Sequence, residues 1–465
     1  MKPETVLNSA RSVALAILQK IERQRQFADD ALDQLIEKAS PSKLDRGLIF
    51  ELVYGVLRYR ETLDWRLNLV ANRPMSRLPL PVAMTLRLGA YQILYLDRIP
   101  PSAAVNESVN LSRSIRGRDW TGFVNGVLRN LVRQTTPPWP DLSENLLRYL
   151  SIRYSCPQWL VERWLSFFGP AKTEWLCEAT LKIPPITLRT NTLRCTREEL
   201  ATRLRDEGYE VRETLVSPLG LVLQKCGKLS DVKAFQDGWC YIEDEAAQLV
   251  PLLLDVSPEQ QHILDVCAAP GGKTTHLAAR MQNQGTIVAL DQNPRRLRSL
   301  TSNCQRLGVT NVSRFVADAS QELLGVDNSS PFVSAMSQGF DGILCDAPCS
   351  GLGVLRRHPD GKWAKDPDII TRAQARQLEI LNRICPLLRP GGVLVYSACS
   401  TEPEETYQVL ATFCRQHPEF RHESVEPCIP PAGQSLIDQE GNLFTAFNPF
   451  DMDGFFAARL RKVGS

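Results

Sequence analysis

The sequence predicts three domains in series: a helical bundle, a small α+β domain and a larger α/β domain built on a parallel sheet. Three observations carry this prediction. Apolar residues recur at helical spacing through the first 135 residues, and from Ile186 they form short strand-like runs instead. From Ile263 onward, apolar strands alternate with helical segments, which is typical of a doubly wound sheet with helices on both faces. The length of 465 residues also fits about three domains.

The helical domain is expected over residues 1–140. Three segments there place their apolar residues on one helical face, namely 10–21, 44–56 and 123–132. Ser42, followed three residues later by Asp45, resembles a capping box at the start of the second segment. The proline-rich stretch 137–140 marks the expected end of the bundle and a linker.

Residues 141–238 are expected to hold linker helices and then the small α+β domain. Residues 145–181 have a helical pattern with three tryptophans on apolar faces. Thr196 and Glu199 have capping-box spacing and predict a further helix. Strands are predicted at 186–189, around Val211, and at 221–223 and 239–242.

The α/β domain is expected over residues 239–465. Its parallel strands are predicted at 263–266, 287–290, 314–316, 342–345 and 393–396. The serine-rich stretch 328–339 is interpreted as an exposed insertion before the fourth of these strands.

Charge is distributed unevenly, although the whole chain carries only +2. Residues 1–140 contain 20 Lys and Arg against 13 Asp and Glu, and Arg outnumbers Lys by 16 to 4. The remainder contains 34 basic against 39 acidic residues. An arginine-rich domain joined to a mildly acidic one suggests that a polyanion-binding module is attached to a second activity.

Composition also excludes several classes of protein. No apolar run approaches the roughly 20 residues of a membrane span, and the N-terminal apolar patch is too short for a secretion signal. The 13 cysteines are odd in number and contain no C-x-x-C pair, and the five histidines show no metal-ligand spacing with them. We therefore expect no metal, no disulfide framework and a reducing, cytoplasmic location.

A glycine turn connects the first predicted strand of the α/β domain to a helix. Gly271 and Gly272 allow a ligand to approach the backbone closely, and the helix N-terminus that follows favours a negative group such as a phosphate or a carboxylate. The Gly-Lys-Thr sequence does not form a P-loop, because Cys267 stands where that motif has its first glycine.

Four aspartates close successive strands of the predicted sheet: Asp265, Asp291, Asp318 and Asp346. Each one alone is explained as the cap of the following helix. Together they line the carboxyl edge of the sheet, where ligands of this fold bind, and Asp291 can accept hydrogen bonds from ribose hydroxyls. The whole set favours a nucleoside site.

Two cysteines lie in turns that follow strands, Cys349 in 346–351 and Cys399 in 395–401. Most cysteines are small buried hydrophobic residues, and that explanation covers most of the 13. A thiol at the ligand edge of the sheet is better placed to react, because the thiolate must meet a substrate. Two such thiols suggest that one adds to a substrate and the other assists its release.

The motifs 265–273, 346–351 and 396–400 together resemble those of the RNA 5-methylcytosine methyltransferases. The run 353–360 with Lys362 and Trp363 resembles the bacterial branch of that family that modifies small-subunit ribosomal RNA, the RsmB (Sun) family. The resemblance extends to 241–248, to 453–457 and to the helical domain, which is similar to the NusB-type RNA-binding domain of that branch.

This resemblance implies a NusB-like all-α domain, an RRM-like α+β domain and a Rossmann-like methyltransferase domain that uses S-adenosylmethionine. Cys399 is implied as the nucleophile that adds to carbon 6 of cytosine, and Cys349 as the group that assists release. Asp346 is implied to stabilise or protonate ring nitrogen 3, which needs surroundings that favour the neutral acid. The residues implied to bind the cofactor are Cys267, Ala268, Ala269, Pro270, Gly271, Gly272, Lys273, Asp291, Asp318 and Asp346.

The implied substrate is 16S ribosomal RNA, free or in a partly assembled small subunit, and the expected oligomeric state is a monomer. Arg356 and Arg357 are interpreted as contacts to RNA phosphates. The alternatives are a tRNA cytosine-C5 methyltransferase and a non-catalytic RNA-binding assembly factor. A nicotinamide-dependent oxidoreductase is disfavoured, because Ala-Ala-Pro-Gly-Gly replaces the expected G-x-G-x-x-G after the first strand.

Overall fold

The computed structural model describes residues 9–24, 26–134, 139–224, 231–259, 261–321 and 336–464. It divides into two compact units. The first comprises Met1–Ile183 together with Leu355–Lys365, and the second comprises Pro184–Val354 and Asp366–Ser465. Of the predicted features, Pro137 and Pro138 and most of the stretch 328–339 lie outside the described residues.

The first unit is helical throughout its described residues. Its helices are α1 (Ala10–Gln24), α2 (Ala28–Ala39), α3 (Lys43–Arg58), α4 (Arg60–Asn68), α5 (Leu80–Tyr95), α6 (Pro101–Arg113), α7 (Thr121–Arg133), α8 (Leu146–Arg153) and α9 (Gln158–Ala179). The predicted apolar face of α1 is buried from Val13 to Ile21. Ser42 caps α3 by accepting a hydrogen bond from the Asp45 amide. α9 breaks at Gly169, whose φ of 72° precedes Pro170.

The segment Leu355–Lys365 belongs to the helical unit, although it follows the Cys349 turn in the chain. Asp360 accepts a hydrogen bond from the Ala28 amide at the start of α2, at 3.0 Å. Lys362 and Trp363 donate to the last carbonyls of α3, those of Arg58 and Leu57, at 2.8 and 2.7 Å. The three side chains thus provide hydrogen-bond partners for backbone groups at the start of α2 and the end of α3, which have no partner within their own helices.

Arg356 differs from its predicted role as a phosphate contact. The residue is only 6% exposed, and its carbonyl accepts a hydrogen bond from Arg58. A guanidinium that is buried in this way does not face solvent, so the prediction is wrong for Arg356 in this structure. His358 beside it forms an ion pair with Asp29, and hydrogen bonding to that carboxylate raises the pKa of His358.

The second unit begins with a small antiparallel sheet of order β2-β3-β1-β4. Its strands are β1 (Ile186–Thr190), β2 (Glu210–Glu213), β3 (Gly220–Gln224) and β4 (Cys240–Ile242). Helix α10 (Arg197–Asp206) starts with the predicted capping box of Thr196 and Glu199. The short helices that follow are α11 (Lys233–Gln236) and α12 (Glu245–Leu249).

The main sheet has the order β10-β12-β9-β8-β5-β6-β7, and β11 pairs with β12. Its strands are β5 (His262–Val266), β6 (Thr286–Asp291), β7 (Val312–Val316), β8 (Phe340–Asp346), β9 (Leu388–Ala398), β10 (Phe420–Glu423), β11 (Leu443–Phe444) and β12 (Phe456–Lys462). Strands β5 to β9 pair in parallel, as predicted, whereas β10, β11 and β12 form an antiparallel edge. The remaining helices are α13 (Gly272–Arg280), α14 (Pro294–Leu307), α15 (Gly361–Ala364, in the first unit), α16 (Asp368–Ile384) and α17 (Tyr407–Gln416).

The predicted fold class is therefore confirmed: a helical N-terminal part, a small α+β part and a C-terminal α/β part with parallel strands. α8 and α9 group with the helical unit, while the predicted boundaries at residues 140 and 238 stay predictions. None of the helices in the described ranges is both long and apolar enough to cross a membrane.

Candidate active site

The carboxyl ends of β9, β8, β5 and β6 are neighbours at one edge of the main sheet. Because these strands are parallel, whatever follows each of them meets at that edge. The glycine turn follows β5, Asp291 ends β6 and Asp346 ends β8. Cys349 comes three residues after β8, and Cys399 immediately follows β9. The sheet thus brings together the residues singled out in the sequence, with the exceptions noted below.

The glycine turn forms a cradle at the N-terminus of α13. Gly271 has a φ of 106°, in the left-handed region, and caps the helix. A Cβ on Gly272 would lie 2.7 Å from Oε1 of Glu243, so no larger residue fits without displacing that carboxylate. Asp291 accepts a hydrogen bond from the Ala269 amide at 3.2 Å and another from Asn293 at 2.8 Å. Asp291 therefore holds the turn in place, in addition to any contact with a ligand.

A buried ion pair beneath this turn was not anticipated. Arg189 is 2% exposed, and its guanidinium donates to Glu243 and to the Gly272 carbonyl, both at 2.5 Å. It also donates to Thr275 Oγ1 at 2.9 Å. A single charged residue inside the strand Ile186–Thr190 was the only signal available in the sequence. This pair fixes the first turn of α13 from the side opposite the cradle.

Asp265 differs from the other strand-end aspartates because it turns into the protein. It is 1% exposed, its Oδ2 accepts a hydrogen bond from Thr274 Oγ1 at 2.6 Å, and its Oδ1 has no partner among the described residues. Burial raises the pKa of Asp265 to about 7. The residue joins β5 to α13 and does not line the open edge with Asp346.

Asp265→Asn is expected to weaken the dependence of stability on pH. An unfolded aspartate loses its proton near pH 4 and the folded one near pH 7, so in that range the folded state holds more protons. Stability therefore falls as the pH rises from about 4 to about 7, by an amount on the order of 4 kcal/mol. Urea unfolding at about pH 5 and about pH 8 captures about 3 kcal/mol of this change, which the variant should largely lose. Equal differences in both proteins would contradict it.

Asp346 is held by two polar neighbours at the centre of the edge. Its Oδ2 accepts from Lys273 Nζ at 2.7 Å, and its Oδ1 accepts from Ser397 Oγ at 2.7 Å. Burial opposes the charge of Lys273, but the carboxylates of Asp346 and Glu243 outweigh it, so the pKa of Lys273 is raised. The ion pair with Lys273 and the hydrogen bond from Ser397 fix the orientation of this carboxyl group. Its expected action on ring nitrogen 3 stays a prediction.

The two cysteines singled out in the sequence meet at this edge. Their sulfur atoms lie 3.1 Å apart, and both residues are half-buried. The pKa of Cys349 lies well above its usual range, first because its thiol hydrogen bonds to Cys399 and second because the surrounding protein excludes water. Cys349 thus stays protonated and can donate a hydrogen bond to the sulfur of Cys399.

The remaining predicted ligand residues lie around this centre. Asp318 follows β7 and accepts hydrogen bonds from Arg376 and from the amide and hydroxyl of Ser320. The hydrogen bond from Arg376 lowers the pKa of Asp318. Cys267 adopts a φ of 64° at the start of the turn, and burial raises its pKa to about 12. Cys267 is therefore a neutral turn residue and not a reactive thiol.

Comparisons with known proteins identify the family of this chain. The family model described as "16S rRNA methyltransferase RsmB/F" matches residues 251–461. The NusB family matches residues 8–133, and the ferredoxin-like domain of RsmF/B-like methyltransferases matches residues 156–230. The probable ribosomal RNA small subunit methyltransferase B of Bacillus subtilis is 36% identical over 458 residues, which cover 98% of this chain and 99% of the relative. The chain belongs to the RsmB/F family of methyltransferases.

Two further relatives cover almost the whole chain. A probable ribosomal RNA small subunit methyltransferase B of Synechocystis is 37% identical, over 98% of this chain and all of the relative. The solved structure of the protein named PH0851 is 25% identical, with a TM-score of 0.78, and the match covers 97% of this chain and 99% of that one. The three-part architecture is thus that of an RsmB/F methyltransferase along its entire length.

Proposed function

We propose that this RsmB/F protein transfers a methyl group from S-adenosylmethionine to carbon 5 of a cytosine in 16S ribosomal RNA, through a covalent bond between Cys399 and the base. The observation that carries the proposal is the pair of thiols, 3.1 Å apart, at the same sheet edge as the glycine turn. In a reaction that first adds a thiolate to the ring and then releases it, one thiol can act as the nucleophile and the other can assist the release.

The residues around the glycine turn fit the cofactor. The turn at Gly271 and Gly272 carries no side chain of its own, so a ligand can approach its backbone, and the N-terminus of α13 favours the carboxylate of the methionine end. Asp291 and Asp318 provide acceptors for the ribose hydroxyls and the adenine amino group. S-adenosylmethionine supplies an electrophilic methyl group, and these residues bind and orient it.

Gly272→Ala is expected to weaken cofactor binding about tenfold or more, because overpacking the contact between the turn and Glu243 costs roughly 1–3 kcal/mol and shifts the backbone that faces the ligand. The added methyl group would displace the Glu243 carboxylate and with it Arg189. Calorimetric titration with S-adenosylmethionine measures the change. Gly126→Ala is the matched control, since a Cβ there meets nothing within 4 Å. If Gly272→Ala binds S-adenosylmethionine with unchanged affinity, the glycine turn is not part of the cofactor site.

Carbon 5 of cytosine is too poor a nucleophile to attack a sulfonium methyl group unaided. The Cys399 thiolate forms a bond to carbon 6, and the electron pair that this addition pushes onto carbon 5 would form the bond to the methyl group as the bond from that methyl group to the sulfonium sulfur breaks and S-adenosylhomocysteine leaves. A base then takes the proton from carbon 5, the double bond re-forms, and Cys399 leaves as a thiolate. Cys349, protonated and 3.1 Å from that sulfur, stabilises it as a leaving group through a hydrogen bond.

Asp346 acts on the other side of the ring. The carboxylate is ion-paired with Lys273 and hydrogen bonded to Ser397, so its orientation is fixed. It stabilises nitrogen 3 of the cytosine, where electron density rises as the Cys399 sulfur adds to carbon 6, and in its acid form it is the donor of the proton that this nitrogen takes up. The target base must leave its stack for its ring to reach Cys399. The arginine-rich helical unit, which matches the NusB family, supports RNA as the macromolecular substrate.

Nucleoside analysis tests the proposal directly. The full chain is incubated with labelled S-adenosylmethionine and unmodified 16S RNA, with 23S RNA and tRNA in parallel. Labelled 5-methylcytidine in 16S RNA is the expected result. Label in tRNA alone would support the methyl-transfer reaction but show that tRNA, and not 16S RNA, is the substrate. Absence of label from every RNA would favour a non-catalytic assembly factor.

A further inference from the structure

A buried carboxylate lies behind the two thiols. Glu405 ends a short 3-10 helix, Pro403–Glu405, and its side chain is completely buried. Its Oε1 accepts from the Ser350 amide at 2.6 Å and from Gln377 Nε2 at 3.3 Å. Its Oε2 accepts from the Ser400 hydroxyl at 2.6 Å and also from the Ser350 hydroxyl.

The two serine partners of Glu405 are the immediate neighbours, in the chain, of the two cysteines. Ser350 follows Cys349 in the chain, and Ser400 follows Cys399. The two turns follow different strands, β8 and β9, yet both donate hydrogen bonds to the same carboxylate. Gln377 adds a hydrogen bond to the Pro348 carbonyl at 3.1 Å, so the Cys349 turn is held on both sides.

The chemistry of the arrangement argues against a carboxylate that merely fills space. Burying a carboxylate is costly unless donors surround it: burial raises the pKa of Glu405, and the hydrogen bonds from Ser350 and Ser400 offset only part of that rise. Hydrogen bonds to an ionised acceptor are short and strong, and they constrain their donors more tightly than neutral ones do. Tyr396 also donates to the Glu405 carbonyl at 2.6 Å, which fixes the backbone that carries the carboxylate.

We propose that Glu405 is the positioning residue that sets the distance between the sulfur atoms of Cys349 and Cys399, by holding Ser350 and Ser400 on a single carboxylate. The proposal rests on the two-thiol reaction proposed above. It assigns Glu405 no contact with RNA or cofactor. The residue acts only through the two turns.

A trivalent arsenical tests the distance without any methyl transfer. Phenylarsine oxide forms two arsenic–sulfur bonds with a pair of close thiols and releases water, so its affinity depends on how near the second thiol is held. The amount bound by the Cys349→Ala variant gives the background from the other cysteines. The full-length protein should bind one equivalent above that background, whether or not it methylates RNA.

Glu405→Gln is expected to lower the affinity of this site for the arsenical about tenfold or more, because a glutamine amide has one acceptor oxygen and its NH2 group cannot accept from the donors that face the second oxygen of the carboxylate. In methyl transfer the variant should lose about 100-fold in kcat with little change in the KM for RNA. Glu404→Gln removes the same charge from the same turn at a half-buried position and is the matched control, expected to stay within about twofold of the parent protein.

If folded Glu405→Gln binds the arsenical as tightly as the parent protein does, the proposal is overturned. Loss of a carboxylate with a purely structural role would lower only the melting temperature. Ser400→Ala provides a second test if Glu405→Gln does not fold. It releases the Cys399 turn and leaves the carboxylate its bonds to Ser350 and Gln377, so the affinity should again fall, and an unchanged value would contradict the proposal. A parent protein that binds the arsenical but methylates no RNA would refute the proposed function alone.

Discussion

Cys399→Ala is expected to abolish methyl transfer, with a rate at least about 10³-fold below that of the parent protein. Without the thiolate, nothing adds to carbon 6, and carbon 5 stays too poor a nucleophile for the methyl group. The side chain of Cys399 lies across the edge from the glycine turn, on a different strand, so cofactor binding should be retained. Transfer of label to 16S RNA and calorimetric titration of the cofactor measure the two effects separately.

Cys414→Ala is the matched control for this variant. Cys414 is a half-buried thiol on α17 outside the site, so its removal should change stability only slightly and leave the rate intact. Full activity of Cys399→Ala combined with an inactive Cys349→Ala would exchange the roles of the two thiols, as in enzymes that place the nucleophile in the Pro-Cys turn after β8.

Cys349→Ala is expected to accumulate a covalent complex between protein and RNA. In this variant Cys399 can still add to the base, but the hydrogen bond that stabilises its sulfur as a leaving group is gone. Elimination becomes the slow step, and we expect it to slow about 100-fold. A denaturing gel of the variant incubated with labelled RNA and cofactor measures the complex as a band of reduced mobility.

The double variant Cys349→Ala with Cys399→Ala is the control for that experiment and should form no complex. Cys349→Ser should accumulate an amount of complex between those of the parent protein and Cys349→Ala, because the hydroxyl can donate the hydrogen bond but is a weaker acid than a thiol. Rapid turnover by Cys349→Ala with no trapped RNA would show that release does not need the second thiol.

Much of the fold could be predicted from the sequence because its signals are local. Apolar periodicity identified α1 and α7 and the parallel strands, and the capping box at Thr196 marked the start of α10. The order of the strand ends then brought Asp346, Cys349 and Cys399 to one edge, since parallel strands end on the same side. These conclusions need no knowledge of distant contacts.

The features that escaped prediction depend on residues far apart in the chain. Arg189 and Thr275 are 86 residues apart, and Glu405 holds a serine 55 residues before it. No periodicity links such pairs, and only the folded sheet brings them together. The ion pair between Asp346 and Lys273 likewise joins residues 73 positions apart, whereas the family resemblance implied only a cofactor contact for Lys273.

The grouping of Leu355–Lys365 with the helical unit has a consequence for how this protein can be recombined. The chain passes between the two units three times, so a single cut near residue 183 does not separate complete modules. A chimera that takes its N-terminal half from another species would pair foreign backbone with Asp360, Lys362 and Trp363, whose partners are Ala28, Arg58 and Leu57. The helical unit is therefore built from two separate segments of the chain, and a functional chimera must take both segments from the same parent protein.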